Sequence, residues 1–288
     1  MKIEGALIGE LFNAQKFEDI YLSTMPEWQA LMPKEEFLNE ARHFYQGTVH
    51  FSLYRENELE PGVRRYAFVD DKTKKMLTVA VKQSLIIGLK FGYLEQYHEY
   101  KTSSKVKYRL PFKDDWFVLF GGEDNFLNYH YSYENQRYAF DFIVKENGQA
   151  VRGNTSVLEN YHSYGRPIVS PASGTIFKVY DGVRDNPPMS MNMDDPEGNA
   201  VIIQHGVNEY SMLAHLKADS ILVSEGTYVN RGQVLAACGN SGASDTPHLH
   251  FHVMDGPNPD TSQSLKIKFE HGLEPEQGQT LRLSLIHI

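Results

Sequence analysis

Residues 247–253 read PHLHFHV, and this alternation decides the structure of the second half of the chain. Successive side chains of a β-strand point to opposite faces, so His248, His250 and His252 share one face while the apolar residues between them face a core. Residues two apart on a strand have Cα atoms about 6.6–7 Å apart, a span at which one metal ion rarely takes both as ligands. We therefore expect either one metal ligand with a neighbour that reaches metal-bound water, or a solvated strand face with three incidental histidines.

The region from 111 to 270 consists of short strand-like runs with glycine turns between them. The runs are WFVLFGG, YAFDFIV, GTIFKVYDGV, NAVIIQHG, YSMLAHL, YVNRGQVLAACG and HLHFHVMD. No helical pattern of useful length interrupts them. Strands without intervening helices indicate an antiparallel arrangement. The sequence therefore predicts a mainly β domain over 111–282, an antiparallel sandwich or barrel.

The first part of the chain has a different pattern. Residues 1–45 carry apolar residues at helical spacing, and Pro33 stands at a typical helix start. Four β-like runs follow between 48 and 95, with polar turns between some of them. These features predict a small α+β domain over 1–97, in which helices precede a four-strand meander, and a polar linker over 98–110. By pattern alone, the α+β part resembles the cystatin-like domains of the nuclear-transport-factor superfamily.

The composition excludes several classes of protein. The chain has 288 residues, enough for one large domain or two of ordinary size. Its single cysteine, Cys238, excludes an intrachain disulfide and any multi-cysteine metal site, and we expect it to be a core residue. A net charge of −9 argues against a nucleic-acid binder, and no apolar run approaches the roughly 20 residues of a transmembrane helix.

The two ends of the sequence differ from the rest. The start, MKIEGALIGELF, carries acids and no long apolar core, so it does not resemble a signal peptide. The protein is thus expected either to act inside the cell or to begin within a longer reading frame. The last six residues, 283–288, can be encoded by a transposon adapter end that is used in sequencing libraries. We expect this tail to be non-native and assign it no function.

Two further features accompany the histidine strand. His215 lies inside the apolar run Leu213–Leu216, where it is either a buried, hydrogen-bonded core residue or part of a site. Asp141 lies in the aromatic run YAFDFIV, and a buried carboxylate requires a partner: a metal ion, a histidine or an arginine such as Arg137. His130 precedes this run. Two histidines and one carboxylate with an open fourth position are the pattern of a catalytic zinc site.

Seven segments, in this order, resemble the lysostaphin-type (LytM-like) zinc metalloendopeptidases, which cut peptidoglycan peptides. They are GGEDNFLNYH, QRYAFDF, YGRPIVSPASGTI, GNAVIIQHG, YSMLAHL, VNRGQVLAACGNSG and PHLHFHV. The resemblance covers about 111–270 and implies the duplicated hybrid β motif of that family. The functional residues that it implies are the zinc ligands His130, Asp141 and His250 and the catalytic residues His215 and His248.

Two positions depart from the family pattern. The family usually has the aspartate four residues after the first histidine, whereas here ten residues separate His130 from Asp141. Glu134 keeps the four-residue offset and is the rival ligand. We prefer Asp141, because Ala-Phe-Asp-Phe reproduces the strand around the family aspartate, whereas Glu134 lies in a polar stretch typical of an inserted turn. His252 stands where the family usually has Gln or Glu, and we expect it to line the substrate groove.

The residue types define an expected mechanism. A zinc ion with three protein ligands lowers the pKa of its bound water toward about 7 and polarises the scissile carbonyl. His248 is expected to accept the proton of that water, and His215 to donate to the oxyanion or to orient the nucleophile. In the turn Gly239–Gly242, Asn240 and Ser241 are candidate substrate-binding residues, with a plain loop as the alternative for Asn240.

Three functions compete. The first is a zinc endopeptidase that hydrolyses stem or cross-bridge peptides of peptidoglycan, in the cell envelope or secreted. The second is a non-catalytic relative that binds wall peptides or activates an amidase, but every candidate ligand position is filled here. The third is a biotinyl- or lipoyl-type carrier, which Pro171–Gly174 and Val229–Gln233 resemble. A carrier needs a lysine at a hairpin tip, and the corresponding stretch Ser211–His215 has none.

Overall fold

A computed structural model describes residues 4–95, 97 and 102–282. The predicted non-native tail, 283–288, and residues 98–101 of the predicted linker lie outside these described residues. The chain divides into two compact units, unit one over 1–96 and unit two over 97–288. Among the helices of the described residues, none is both long and apolar enough to cross a membrane.

The described part of unit one begins with a 3₁₀ turn, Gly5–Leu7, and continues with four short α-helices. They are α1 (Ile8–Asn13), α2 (Phe17–Leu22), α3 (Pro26–Leu31) and α4 (Lys34–Tyr45). Pro26 is the first residue of α3 and Pro33 precedes α4, which is where proline is tolerated because the first helical N–H groups have no intrahelical partner. Acids in the first turn of α4 and bases in its last turn match the helix dipole.

A four-stranded antiparallel sheet follows the helices. Its strands are β1 (Phe51–Glu60), β2 (Val63–Asp70), β3 (Lys75–Lys82) and β4 (Leu85–Tyr93), in that spatial order. Aromatic side chains join the helices to the sheet: the ring of Phe12 lies 5.0 Å from that of Phe51, and the ring of Phe37 lies 6.2 Å from that of Phe91. The helices followed by a meander confirm the predicted α+β composition of this part.

Asp70 ends β2 inside unit one and is fully buried. Its Oδ1 accepts the N–H groups of Val49 and His50 at 2.7 and 2.8 Å. Its Oδ2 accepts the N–H and the hydroxyl of Thr73 at 2.8 and 2.6 Å. Burial opposes the charge of Asp70, but these donors outweigh it and lower the pKa of the carboxyl to about 2. The carboxylate therefore fixes the entry to β1 against the turn after β2.

Unit two is built from strands, with helical turns of three or four residues in its described part. The strands are β5 (Ser103–Tyr108), β6 (Trp116–Phe120), β7 (Phe140–Ile143), β8 (Pro167–Val169), β9 (Gly174–Tyr180), β10 (Asn199–Gly206), β11 (Glu209–Leu216), β12 (Tyr228–Val229), β13 (Val234–Ala237), β14 (Leu249–Met254), β15 (Lys266–Phe269) and β16 (Thr280–Leu281). An eight-stranded sheet has the order β12-β9-β10-β11-β14-β7-β6-β16, and the smaller pairs are β13–β8 and β15–β5. All pairs but β15–β5 are antiparallel, which confirms the predicted mainly β fold class.

The strand β14 is buried on both faces. Leu249, Phe251 and Val253 are fully buried in the core of unit two, as the alternation predicts. The opposite face is not solvated, however, because His250 is 5% exposed and His252 is 1% exposed. The alternative of a solvated strand face therefore does not apply to these histidines. Cys238 is buried in the same core, and its burial raises the pKa of the thiol, in agreement with a core role.

The predicted linker needs one correction. Ser103–Tyr108 form β5, which pairs with β15 in parallel. Buried Glu209 accepts the N–H groups of Lys105 and Val106 at 2.8 and 2.9 Å and the hydroxyl of Tyr108 at 3.0 Å. The polar sequence SSKVKY suggested a connection, but partners more than 100 residues away make it a strand of unit two.

Candidate active site

Neighbouring strands bring the site together. In the sheet, β14 lies between β11 and β7, with His250 directly opposite Asp141 on β7 and opposite Ala214 on β11. Opposite residues on adjacent strands have side chains close enough to touch. Accordingly, Nδ1 of His250 lies 3.0 Å from Oδ1 of Asp141.

His130 reaches the same carboxylate from a loop. It lies in the helical turn Tyr129–Ser132, and its Nε2 is 3.0 Å from Oδ2 of Asp141. The buried side chain of Asn128 holds this turn: its Oδ1 accepts the N–H of His130, and its Nδ2 donates to the carbonyl of Ala139 just before β7. The same asparagine thus sets the position of His130 relative to the strand that carries Asp141.

The three residues fit a zinc ion by chemistry and by spacing. Their candidate ligand atoms, two imidazole nitrogens and one carboxylate oxygen, all lie within 4.8 Å of one another, and all three residues are buried. Zinc bonds of 2.0–2.2 Å in a tetrahedron put ligand atoms roughly 3.3 Å apart. The 3.0 Å separations of Asp141 from His130 and His250 are close to that value.

The alternatives that the sequence left open are placed elsewhere. Glu134 is exposed, and its Oε1 accepts a hydrogen bond from Nε2 of Gln263 at 3.0 Å. The guanidinium of Arg137 lies 3.8 Å from the centre of the Tyr97 ring. The ion pairs of Asp141 within the described residues are with histidines: His130, His248 and His250.

The electrostatics of the cluster follow from burial and from the shared carboxylate. Burial opposes the charge of Asp141, but His130 and His248, together with hydrogen bonds from His130 and His250, hold the pKa of this carboxyl well below its usual range. Burial is the main cause that lowers the pKa of His250 and of His215, the latter well below the usual range. Neutral imidazole is the form in which histidine binds a metal.

His215 and His248 lie beside the cluster, and a backbone carbonyl holds each ring through Nδ1. Nδ1 of His215 donates to the carbonyl of Ser241 at 2.9 Å, and the residue has φ 61°, a left-handed conformation that non-glycine residues rarely adopt. Nδ1 of His248 lies 2.8 Å from the carbonyl of Thr246, and its Nε2 lies 3.8 Å from Oδ1 of Asp141. The rings of His215 and His248 are 4.8 Å apart.

Asn240 and Ser241, the two candidate substrate-binding residues of the turn, are fully buried. The N–H of Asn240 donates to Asp185 at 2.7 Å, and its side-chain amide donates to the carbonyl of Asn186 at 3.0 Å. The hydroxyl of Ser241 donates to the carbonyl of Leu216 at 2.7 Å. Partners outside the turn thus satisfy these polar groups, and the carbonyl of Ser241 in turn holds Nδ1 of His215.

His252, which we expect to line the substrate groove, lies beside the candidate ligand His250. Its Nδ1 lies 3.0 Å from Nε2 of His250, and its Nε2 is buried without a hydrogen-bond partner among the described residues. Both His250 and His252 line a cavity of about 290 Å³, together with His130 and His215. His252 therefore contacts the cavity and a candidate ligand at the same time.

Sequence reasoning assigned no role to three residues that shape the site. The hydroxyl of Tyr129 donates to Oδ2 of Asp141 at 3.3 Å, and Asn128 holds the His130 turn. Asp185 accepts from Asn240 and from the hydroxyl of Tyr164 at 2.9 Å. Tyr129 and Asn128 adjoin His130 in sequence and could have been singled out. Asp185 lies in a polar loop 55 residues before Asn240 and gave no such signal.

A family model, that of peptidase family M23, matches residues 158–262. This stretch contains His215, His248 and His250, whereas His130 and Asp141 lie before it. The match does not reach unit one, so the resemblance of that part to cystatin-like domains has no support from it.

Curated relatives match a similar share of the chain. Peptidoglycan DD-endopeptidase ShyA of Vibrio cholerae is 36% identical over 91 residues, which are 31% of this chain and 20% of the relative. Murein hydrolase activator NlpD of Salmonella typhimurium is 34% identical over 117 residues, 41% of this chain and 27% of the relative. Lipoprotein NlpD of Yersinia enterocolitica is 34% identical over 91 residues, 32% of this chain and 79% of the relative. The chain thus spans a fifth of the length of the first of these.

Proposed function

The chain belongs to peptidase family M23, and we propose that unit two is a zinc-dependent endopeptidase that hydrolyses peptide bonds in peptidoglycan stem or cross-bridge peptides. One observation supports the proposal: the side chains of His130, Asp141 and His250 converge as candidate ligands, and the ring of His215 lies 4.8 Å from that of His248 and 5.8 Å from that of His250 beside them. The proposed place of action is the cell envelope, where this substrate lies.

Zinc at this site would supply a Lewis acid for the scissile carbonyl and for water. His248 gives its Nδ1–H to the carbonyl of Thr246, so a neutral ring offers Nε2 as a proton acceptor beside the ligand cluster. We assign it the role of general base for the attacking water. Its distance of 3.8 Å from Asp141 leaves the ring near the cluster without making it one of the converging ligands.

His215 has the same tautomer for the same reason. The carbonyl of Ser241 can only accept, so it takes the Nδ1–H, and a neutral His215 then offers Nε2 as an acceptor. A donor to the oxyanion would need a second proton on this buried ring. Of the two roles considered for His215, orientation of the attacking water therefore fits the geometry better.

The test separates ligands from the base. His248→Ala should keep stoichiometric zinc and lose hydrolysis of purified peptidoglycan by about 10²–10⁴-fold, because it removes a proton acceptor and no ligand. His250→Ala should lose both zinc and hydrolysis. Zinc content is measured by elemental analysis of the purified full chain, and hydrolysis by chromatography of the released fragments. Equal zinc loss in both variants would reverse the assignment.

A second candidate is an activator of another murein hydrolase, since murein hydrolase activator NlpD is among the relatives. The filled ligand positions favour the enzyme. A wild-type protein that leaves purified peptidoglycan intact, and that stimulates an amidase added to it, would favour the activator.

We propose in addition that unit one is a separate domain that positions, recruits or restrains the enzyme. The candidate ligand cluster found among the described residues lies wholly in unit two, which supports this division of labour.

A further inference from the structure

We infer that His252 is a positioning residue, which in the zinc-bound protein fixes the ring of His250 by accepting a hydrogen bond from its Nε2, and whose own Nε2–H is a buried donor beside the substrate cavity. The inference rests on the proposed zinc site. It concerns a residue that stands next to the ligand on the same strand face and that the mechanism above does not use.

The proton of His250 can lie on either of the two ring nitrogens. A neutral imidazole carries one N–H, on one of its two nitrogens. Nδ1 of His250 faces Asp141 at 3.0 Å and is the nitrogen that would bind a metal shared with that carboxylate. Without a metal, Nδ1 can donate its proton to Asp141, but a metal ion on Nδ1 moves the single proton to Nε2, which lies 3.0 Å from Nδ1 of His252. In the zinc-bound protein His250 therefore donates, and His252 accepts through an unprotonated Nδ1.

The geometry of β14 places the ring of His252 next to that of His250. His250 and His252 lie on one face of β14, opposite Ala214 and Met212 of β11. Their ring centres are 5.1 Å apart with an interplanar angle of 73°, so the edge of one ring meets the other. At this two-residue spacing one metal ion rarely binds both rings, but the ring of His252 can contact and orient the ring of His250. Partners of this kind fix the orientation of metal-binding histidines.

The other ring nitrogen of His252, Nε2, carries the proton in this arrangement. With Nδ1 unprotonated, a neutral His252 carries its proton on Nε2. This atom is buried and has no hydrogen-bond partner within the described part of the chain, and the residue lines the cavity of about 290 Å³. An unpaired buried donor is energetically unfavourable, so a substrate that brings a hydrogen-bond acceptor to this N–H should bind more tightly. A backbone carbonyl of the peptide substrate has the required chemistry.

The experiment measures zinc affinity by competition with a chromophoric chelator, on the full chain. His252→Leu removes the acceptor at similar volume and should weaken zinc binding about 10–100-fold. His252→Asn places its Oδ1 where Nδ1 was and should retain most of the affinity. His205→Leu is the matched control: His205 bonds Ser173 and Ser211 elsewhere in unit two, so its loss should leave the affinity unchanged.

Two results overturn the inference. One is a folded leucine variant that binds zinc as tightly as wild type, and the other is an asparagine variant that is as weak as the leucine variant. If the leucine variant does not fold, His252→Ala replaces it, because it also lacks the acceptor and needs less space. A wild-type protein without zinc would instead overturn the proposed function, and this inference with it.

A second readout distinguishes positioning from packing. In the zinc-bound protein, ¹⁵N chemical shifts of His250 should report a metal-bound Nδ1 and a protonated Nε2. Peptide binding to the zinc-bound His248→Ala protein, which should not hydrolyse the peptide, should weaken when His252→Asn is added, because this change keeps an acceptor in place of Nδ1 but removes the Nε2–H. A metal-bound Nε2 in His250, or unchanged peptide binding in the asparagine variant, would contradict the assigned tautomer or the assigned substrate contact, respectively.

Discussion

Unit one and unit two each bury an aspartate in a sheet strand, Asp70 and Asp141. The groups that stabilise the buried charge differ between the two. Asp70 receives these donors from within 21 residues, and three of the four are backbone N–H groups. Asp141 faces three imidazole rings, of which His250 lies 109 residues away. A carboxylate surrounded by N–H groups anchors the backbone, whereas one surrounded by imidazoles leaves lone pairs that can bind a metal.

The largest effect should come from Asp141→Asn. The amide removes one candidate ligand and its charge, so zinc should be lost and hydrolysis should fall by at least about 10³-fold. The sheet should stay folded, because the amide keeps the shape of the side chain. Zinc analysis and circular dichroism check the two statements. A variant that keeps stoichiometric zinc would show that Asp141 is not a required ligand and would remove this difference between Asp141 and Asp70.

The converse change is Asp70→Ala. It leaves the N–H groups of Val49 and His50 without their acceptor, and we expect the free energy of unfolding of unit one to fall by about 3 kcal/mol. Each unit contains one tryptophan, Trp28 and Trp116, so urea unfolding in a Trp116→Phe background reports unit one alone. Zinc content should stay unchanged. A loss of zinc here would mean that the two sites are not independent.

The pH dependence of unit one sharpens the contrast. Because the pKa of Asp70 is about 2 in the folded state and near 3.8 ordinarily, its contribution is fully present above about pH 4. It is lost as the pH falls from about 4 through 2. Trp28 fluorescence should therefore show an acid-dependent loss of stability that is absent in Asp70→Asn. An equal acid dependence in that variant would assign the loss to other groups.

A third aspartate, Asp185, shares features with both Asp70 and Asp141. Asp185 accepts backbone and side-chain donors, as Asp70 does, but the turn that it holds positions His215. Asp185→Ala should lower kcat about 10-fold through a small displacement of that ring and should keep zinc bound. Tyr164→Phe removes one of the same hydrogen bonds and is the milder control. Loss of zinc in Asp185→Ala would give Asp185 a larger structural role.

The smallest effect on the site should follow removal of unit one. A fragment over 102–282 should bind zinc as the full chain does, since the candidate ligand cluster lies in unit two. A fragment over 109–282 should fold poorly, because it lacks β5 and leaves Glu209 without the donors of Lys105, Val106 and Tyr108. A soluble, folded 102–282 fragment without zinc would show that earlier residues help to build the site.

The α+β and mainly β parts could be predicted because periodicity is local. Each residue of a strand or helix reports its own face, so the apolar alternation of 249–253 located a core face without knowledge of any partner. The same logic placed Asp141 on a buried strand, and it lies there, fully enclosed. The family resemblance added the order of the seven segments along the chain, which the periodicity of one strand or helix does not show.

The sequence by itself determined which side chains share a face and which residue types are available for metal chemistry. The tertiary structure alone decided which of them meet. The turn at Asn240 and Ser241 points inward because Asp185 and Asn186, from a distant loop, satisfy it. Likewise, β5 is a strand because β15 and Glu209 lie beside it. Such contacts depend on partners far apart in the chain, and a one-dimensional pattern carries no record of the distance between them.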